Sequence, residues 1–286
     1  MGPDVRSWLA EQVRGRVVGP DAATRRSELF GADEAGWFED GAPIRRVHGD
    51  ASMFIGGLRA LLLQSIHPLA MAGVAEHSDY RHDPWGRLQR TADFIAATTF
   101  GPATMAQRSI DTVRAVHRTV AGTAPDGRPY SANDPHLMLW VHLAEIDSFL
   151  AAHDRHGAQR LRGDDRDRYV AETARIAEAF ELPDPPRSEP ELRDALRTFR
   201  PELRGTREAR DAARYLLFQP PMPLPMRPAY GALAAAAVAL LPRWTRRHLQ
   251  LLWLPVVEAT AAGPAGDAVT RALRWAMQPR PVVPSE

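Results

Sequence analysis

The chain has 286 residues, of which 44% are hydrophobic and 25% charged, and its formal net charge is +1. This balance is ordinary for a globular protein and gives no general field for nucleic acid or an anionic membrane, so we expect neither as a partner. Cysteine is absent, which excludes disulfides, thiolate metal ligands, iron–sulfur clusters and a cysteine nucleophile. Any metal must be held by histidine, carboxylate or other oxygen ligands.

Three further features of the sequence limit the interpretation. All 36 basic residues are arginine, which is typical of a GC-rich coding bias, so only the position of an arginine is informative. The first 20 residues mix acids with arginines and have no apolar core, so we expect no secretory signal and a cytoplasmic protein. The longest apolar run, GALAAAAVALLP at 231–242, is too short to span a bilayer and predicts a packed helix.

Helical periodicity extends over most of the chain. Apolar residues at three-to-four spacing predict helices over residues 52–66, 69–77, 84–99, 103–121, 137–153, 164–181, 188–199, 229–241 and 243–261. QPPMPLPMRP at 219–228 predicts a rigid extended connector, and we find no strand pattern of useful length. The fold class is therefore all-α, a single-domain helical bundle. Its predicted parts are an N-terminal arm (1–45), a helical domain (46–265) and a C-terminal helix end and tail (266–286).

The stretch HPLAMAGVAEHSDYRHDPWGRLQRT at 67–91 is rich in polar residues. Arg87 and Thr91 are four residues apart and so share one face of a helix. The plain interpretation is an arginine paired with Asp83 and a threonine that bonds back to its own helix; the functional one is a polar pair lining a pocket. His67 and His77 resemble capping and packing residues, with His77 a distal-pocket candidate.

His117 belongs to the apolar stripe of Ile110, Val113, Val116 and Val120, so it should point towards the core. A buried histidine needs a partner for each ring nitrogen, usually a carbonyl and a water. The alternative is an axial ligand, because a neutral imidazole facing a dry apolar cavity is what a b-type haem iron requires. Spacing alone leaves both interpretations open.

His142 and Glu145 are three residues apart on one predicted helix, within reach of one metal ion. A carboxylate-bridged di-iron bundle needs two Glu-x-x-His units and further glutamates, whereas this chain has the reversed order once. A non-haem iron site using His142, Glu145 and His77 is therefore the weaker hypothesis.

Four ordered blocks within residues 45–260 form a recognisable pattern: GDASMFIGGLRALLLQSIHPLAMAGVAEHSDYRHDPWGRLQRT, then FG, VHRTVAG and DGRPYSANDPHLMLWVHLAEIDS. These blocks resemble the MpaB-like oxygenase family, which is related to the latex clearing protein, a rubber oxygenase. The resemblance implies a globin-like core that encloses one b-type haem held by a single proximal histidine. It implies His117 as the iron ligand and Arg87 and Thr91 as the pair near the haem.

The chain departs from the rubber oxygenases in two places. Arg90 stands where they have a lysine before the threonine, and a guanidinium is a poor iron ligand. The rubber oxygenases also use a nearby glutamate. No residue of this chain is a firm match for it, and Glu76 is the candidate that we name. Since no secretion signal is expected, polyisoprene cleavage is not carried over.

These considerations predict a haem b-dependent oxygenase that acts with O₂ on a small apolar or unsaturated metabolite. His117 is the predicted metal ligand, Arg87 and Thr91 the catalytic pair, and His77 and His142 further cofactor-binding candidates. The alternatives are a non-catalytic haem or apolar-ligand binding protein and the non-haem iron enzyme. We leave a homodimer open.

Overall fold

The computed structural model describes residues 34–219 and 222–278, together with isolated positions between residues 6 and 31. The chain there is mostly helical, with one small sheet. The helices are α1 (Pro43–His48), α2 (Met53–Gln64), α3 (Pro68–His77), α4 (Pro84–Phe100), α5 (Ala103–His117), α6 (Pro135–His156), α7 (Asp165–Ala179), α8 (Glu189–Thr198), α9 (Arg207–Phe218), α10 (Arg227–Leu240), α11 (Arg243–Leu249), α12 (Pro255–Val257) and α13 (Gly263–Met277). Short 3₁₀ turns at Arg200–Glu202 and Leu224–Met226 and a π-helical turn at Glu258–Ala262 complete the order. The predicted all-α class is thus confirmed in its coarse form, as a mostly helical fold.

The centre of the core is the contact between α2 and α6. Gly56 lets the two helices approach closely, because a Cβ there would lie 3.0 Å from the Phe149 ring and 3.2 Å from its Cα. Trp140 is fully buried and donates from its indole nitrogen to the Gln64 carbonyl at 3.2 Å. This packing places Trp140 and Phe149 on the side of α6 that contacts α2.

A second, alanine-rich cluster joins α10 to α2 and α13. Ala236 and Ala237 are fully buried against Ile55 and Leu273. The run at 231–242 therefore forms a packed helix, as its composition predicts. Among the described residues, no single helix is long and apolar enough to cross a membrane. Two pairs of consecutive helices, each bent at the break between them, reach that length and apolar content together: Met53–Gln64 with Pro68–His77, and Leu224–Leu240 with Arg243–Leu249.

The predicted helix over 103–121 is too long. It ends at His117, and Ala121–Thr123 (β1) pairs antiparallel with Pro129–Ser131 (β2). The Pro-Asp-Gly sequence forms the turn, with Gly127 at φ +85°, a conformation that favours glycine. A three-residue strand is too short to produce an alternating pattern, which is why the sequence did not predict this hairpin.

Other differences lie at the chain's ends and in its last third. The sequence does not predict helices α1 and α9, nor α13 beyond a C-terminal helix end, and the connector at 219–228 already contains a 3₁₀ turn and the start of α10. The predicted helix over 243–261 is wrong because Gln250 adopts a left-handed backbone at φ 56° and ends α11. Most of the predicted arm (1–45) and the tail beyond residue 278 lie outside the described residues, and the domain boundaries remain predictions.

Candidate functional site

Arg87 is held on the first turns of α4. Asp83 caps this helix by accepting from the Gly86 N–H at 2.9 Å, and Pro84 opens it. The partly buried Arg87 guanidinium donates to the Ser78 hydroxyl at 2.7 Å, and burial lowers its pKa. The expected pairing with Asp83 is wrong, since that carboxylate lies 3.2 Å from Arg90. Within the described residues Arg87 has no carboxylate at ion-pair distance.

Thr91 lies one turn further along α4. Its side chain is exposed, and its hydroxyl donates to the Arg87 carbonyl at 3.0 Å. The threonine therefore bonds back to its own helix, as the plain interpretation of the sequence predicts. With its proton used in this bond, the hydroxyl offers lone pairs, and not a donor, to a ligand.

His117 is the last residue of α5 and is partly buried. Its Nδ1 is buried and has no hydrogen-bond partner among the described residues, and burial lowers the pKa of the ring, which is therefore neutral at neutral pH. The apolar stripe that carries it is narrower than predicted: Ile110 is fully buried, whereas Val116 is 57% exposed. A neutral imidazole with a free nitrogen is suited to hold a metal ion.

Two titratable groups of α6 are placed deep in the fold by the α2–α6 contact. His142 is buried, its Nε2 has no hydrogen-bond partner in the part of the chain that the structure describes, and burial lowers its pKa to about 4. Burial raises the pKa of Glu145 from its ordinary value of 4.5 to about 7, while the Gln64 amide, which donates to it at 3.2 Å, and the charge of Arg87 act in the opposite direction. Part of the Glu145 surface nevertheless remains accessible. The carboxyl is thus desolvated by the fold, while part of the residue still reaches the surface.

The Arg87 guanidinium and the Glu145 carboxyl are therefore close enough to influence each other across α4 and α6. From the sequence, Glu145 is a candidate only as a metal ligand beside His142. Helical spacing places these two residues on α6, but it carries no signal for the approach of α4.

His77 and Glu76 lie at the exposed end of α3. Both contact the buried Tyr130 hydroxyl: the phenol donates to the Glu76 carboxylate, and His77 Nε2 lies 3.1 Å away. Burial and the Glu76 carboxylate raise the pKa of Tyr130 to about 12. A cleft of about 530 Å³ opens beside this network.

The predicted residues are thus only partly brought together. Within the described part of the chain, no hydrogen bond, ion pair or ring contact joins His117 to Arg87 or Thr91. In the same part, no third histidine or carboxylate converges on His142 and Glu145 at metal-binding distance. His67 caps α3, as predicted, by accepting from the Ala70 N–H at 3.5 Å.

Of the comparisons with known proteins, the scan against family models found a match. No match was found among curated proteins or among solved structures. Residues 45–277 match the family model described as the catalytic domain of the ER-bound oxygenase mpaB/B′ and the rubber oxygenase. The matched range contains every candidate residue named above and covers most of the chain. The chain therefore belongs to the MpaB and rubber oxygenase catalytic-domain family, a family of oxygenases.

Proposed function

We propose that this oxygenase binds haem b through His117 and oxidises a small apolar or unsaturated molecule with O₂. The observation that carries the proposal is the buried, unpartnered Nδ1 of a neutral His117 at the end of an apolar helix face. A buried polar atom without a partner is costly and calls for an explanation, and ligation of the ring is one. Haem b, when bound, supplies the activation of O₂.

The polar groups present fit this cofactor. Haem carries two propionates, and Arg87 is a partly buried cation with a hydroxyl as its partner and no carboxylate among the described residues. In the proposal, Arg87 donates to a propionate and so fixes the orientation of the ring. Thr91 lies beside it and accepts from, or contacts, the ligand.

The apolar groups present fit the substrate class. Phe94, Ile95 and Val113 lie on the two helices that carry Arg87 and His117, and all three keep accessible surface. Side chains of this kind bind an apolar substrate and exclude water from it.

Glu145 is the proposed proton-holding group. With a pKa of about 7, its carboxyl is partly protonated near neutral pH, and Gln64 occupies one of its oxygens, Oε1. The other oxygen, Oε2, is free to hold a proton or to receive one from a substrate. The proposed site thus combines a cation on α4 with a proton donor on α6, and the charge of the first influences the second.

The direct test is O₂ uptake by the haem-reconstituted, reduced full chain against a panel of small alkenes and phenols. We expect substrate-dependent uptake that is lost in His117→Ala and retained in His82→Ala, which alters an exposed histidine paired with Asp79. Haem binding without turnover of any compound would favour the non-catalytic binding protein. Iron without porphyrin in the purified protein would favour the non-haem alternative. Either result would contradict the proposal.

A further inference from the structure

Three metal-ligating side chains converge away from the site described above. His67 precedes α3, His136 is in the first turn of α6, and Glu202 is in the 3₁₀ turn after α8. One ligand atom from each lies within 4.8 Å of the other two. The three residues are far apart in sequence, so their convergence is a product of the fold.

His67 is the buried member of this cluster. Its ring is fully buried against Trp140 and Phe199, with ring centroids 6.1 Å and 6.4 Å away. Its Nε2 lies at ion-pair distance from the Glu202 carboxylate, 3.4 Å away, and has no partner in good hydrogen-bond geometry among the described residues. The carboxylate therefore satisfies this fully buried ring nitrogen only in part.

His136 and Glu202 form the accessible side of the cluster. His136 Nε2 lies 2.9 Å and 3.0 Å from the two Glu202 oxygens. The His136 ring stacks on Phe199 with centroids 4.5 Å apart, which fixes its orientation. About half of the His136 side chain is exposed, so an ion and its water ligands can reach the cluster from solvent.

We propose that His67, His136 and Glu202 bind one divalent transition-metal ion, of which Zn²⁺ is the representative. Two imidazole nitrogens and a carboxylate oxygen are a ligand set that zinc accepts, with a fourth position left for water. Ligand atoms about 2.0–2.1 Å from a tetrahedral ion are about 3.3 Å from one another. The observed 2.9–3.4 Å separations are already close to this value.

Ligation requires one change in hydrogen bonding. Binding through Nε2 moves the His67 proton to Nδ1 and gives up the contact from the Ala70 N–H, which at 3.5 Å is at the long limit of a hydrogen bond. The competing interpretation is a Glu202 carboxylate that simply accepts from both imidazoles. The two interpretations differ in whether added metal changes the protein.

The ion would join the starts of α3 and α6 to the segment after α8. Since the unfolded chain does not hold the three ligands together, binding stabilises the folded state. The inference is independent of the proposed haem chemistry.

Zn²⁺ titration of the chelator-treated full chain, by calorimetry and by thermal unfolding, tests the proposal. We expect one Zn²⁺ per chain and a rise in Tm, with affinity reduced by about tenfold or more in His136→Ala and Glu202→Gln. His82→Ala, which alters an exposed histidine outside the cluster, should bind as the unaltered protein does. His136 is exposed, so its replacement leaves the fold intact, as the metal-free Tm and circular dichroism will verify. No binding at one equivalent, or unchanged binding by both ligand variants, would overturn the proposal.

Discussion

Arg87 and Arg90 lie on the same helix, but their environments differ. Arg87 is partly buried and bonds Ser78, whereas Arg90 is exposed and pairs with Asp83. Rubber oxygenases have a lysine at the position of Arg90, whereas in this chain the arginine forms an exposed ion pair. Of the two, only Arg87 is buried enough to contact the proposed haem.

Arg87→Gln is therefore expected to weaken haem binding by about 10- to 100-fold, the effect of losing a charge-assisted hydrogen bond of about 1.5–3 kcal/mol. The matched control, Arg90→Gln, should leave haem affinity unchanged because its partner is the exposed Asp83. Haem titration followed by absorbance measures both affinities. Equal affinities for the two variants would remove Arg87 from the site.

Glu145 gives a pH-dependent prediction. Its pKa is about 7 in the folded chain against an ordinary 4.5, so the native carboxyl keeps its proton where the unfolded one has lost it. The stability due to this group is complete below pH 4.5 and is lost as the pH rises to about 7. Glu145→Gln should then exceed the unaltered protein in free energy of unfolding by up to about 3 kcal/mol above pH 7.

Urea unfolding at several pH values measures this difference. The gap should close below pH 4.5, where Glu145 is protonated in both states. The control Glu178→Gln, at an exposed ion pair with Arg187, should give a small, nearly constant difference. A gap of the same size at every pH would show that the Glu145 carboxyl is not desolvated.

What the sequence reveals about these residues depends on their neighbours in the chain. The back-bond of Thr91 and the cap at Asp83 involve partners within four residues, so spacing predicts them. The approach of Arg87 to Glu145 and the convergence of His67, His136 and Glu202 depend on tertiary packing. Neither spacing nor composition carries a signal for such distances.

At the scale of helices, the α2–α6 contact determines where the site residues of α6 point. Gly56 faces Phe149, whereas a Cβ on its neighbour Gly57 would meet nothing within 4 Å. Replacing each of these adjacent glycines by alanine therefore distinguishes the effect of packing on stability from the effect of helix propensity.

Gly56→Ala should destabilise the protein by about 1–3 kcal/mol, because the added methyl overpacks a contact that includes backbone. Gly57→Ala should stabilise it by up to about 1 kcal/mol, because alanine favours the helix and open space receives the methyl. Chemical denaturation of the two variants gives both values. Equal effects in the same direction would contradict this packing of α2 on α6.

Elements with strong local signals were predicted closely, and weaker ones were not. Pro68 and Pro84 mark the starts of α3 and α4 within one residue. The start of α9 has a cap, since Thr206 accepts from the Ala209 N–H at 3.2 Å. The many polar residues of this segment obscure its apolar periodicity, so the sequence does not predict the helix. Helix α11 ends at Gln250, which is neither a glycine nor a proline, so the sequence does not indicate this helix end.

At the scale of the whole molecule, the family model covers 45–277 and so includes both candidate sites within one oxygenase domain. The haem site would lie among α4, α5 and α6, and the metal cluster joins the starts of α3 and α6 to the turn after α8. A cofactor that binds only the folded chain raises its stability by mass action. Haem should therefore raise the Tm of the unaltered protein.

The absorption spectrum of the purified full chain, supplemented with haem, tests the central claim most directly. The account predicts a Soret band at one haem per chain, a ferric spectrum altered in His117→Ala, and an unaltered spectrum in His82→Ala. A protein with no Soret band after supplementation, or a His117→Ala variant with unchanged haem content and spectrum, would contradict the account.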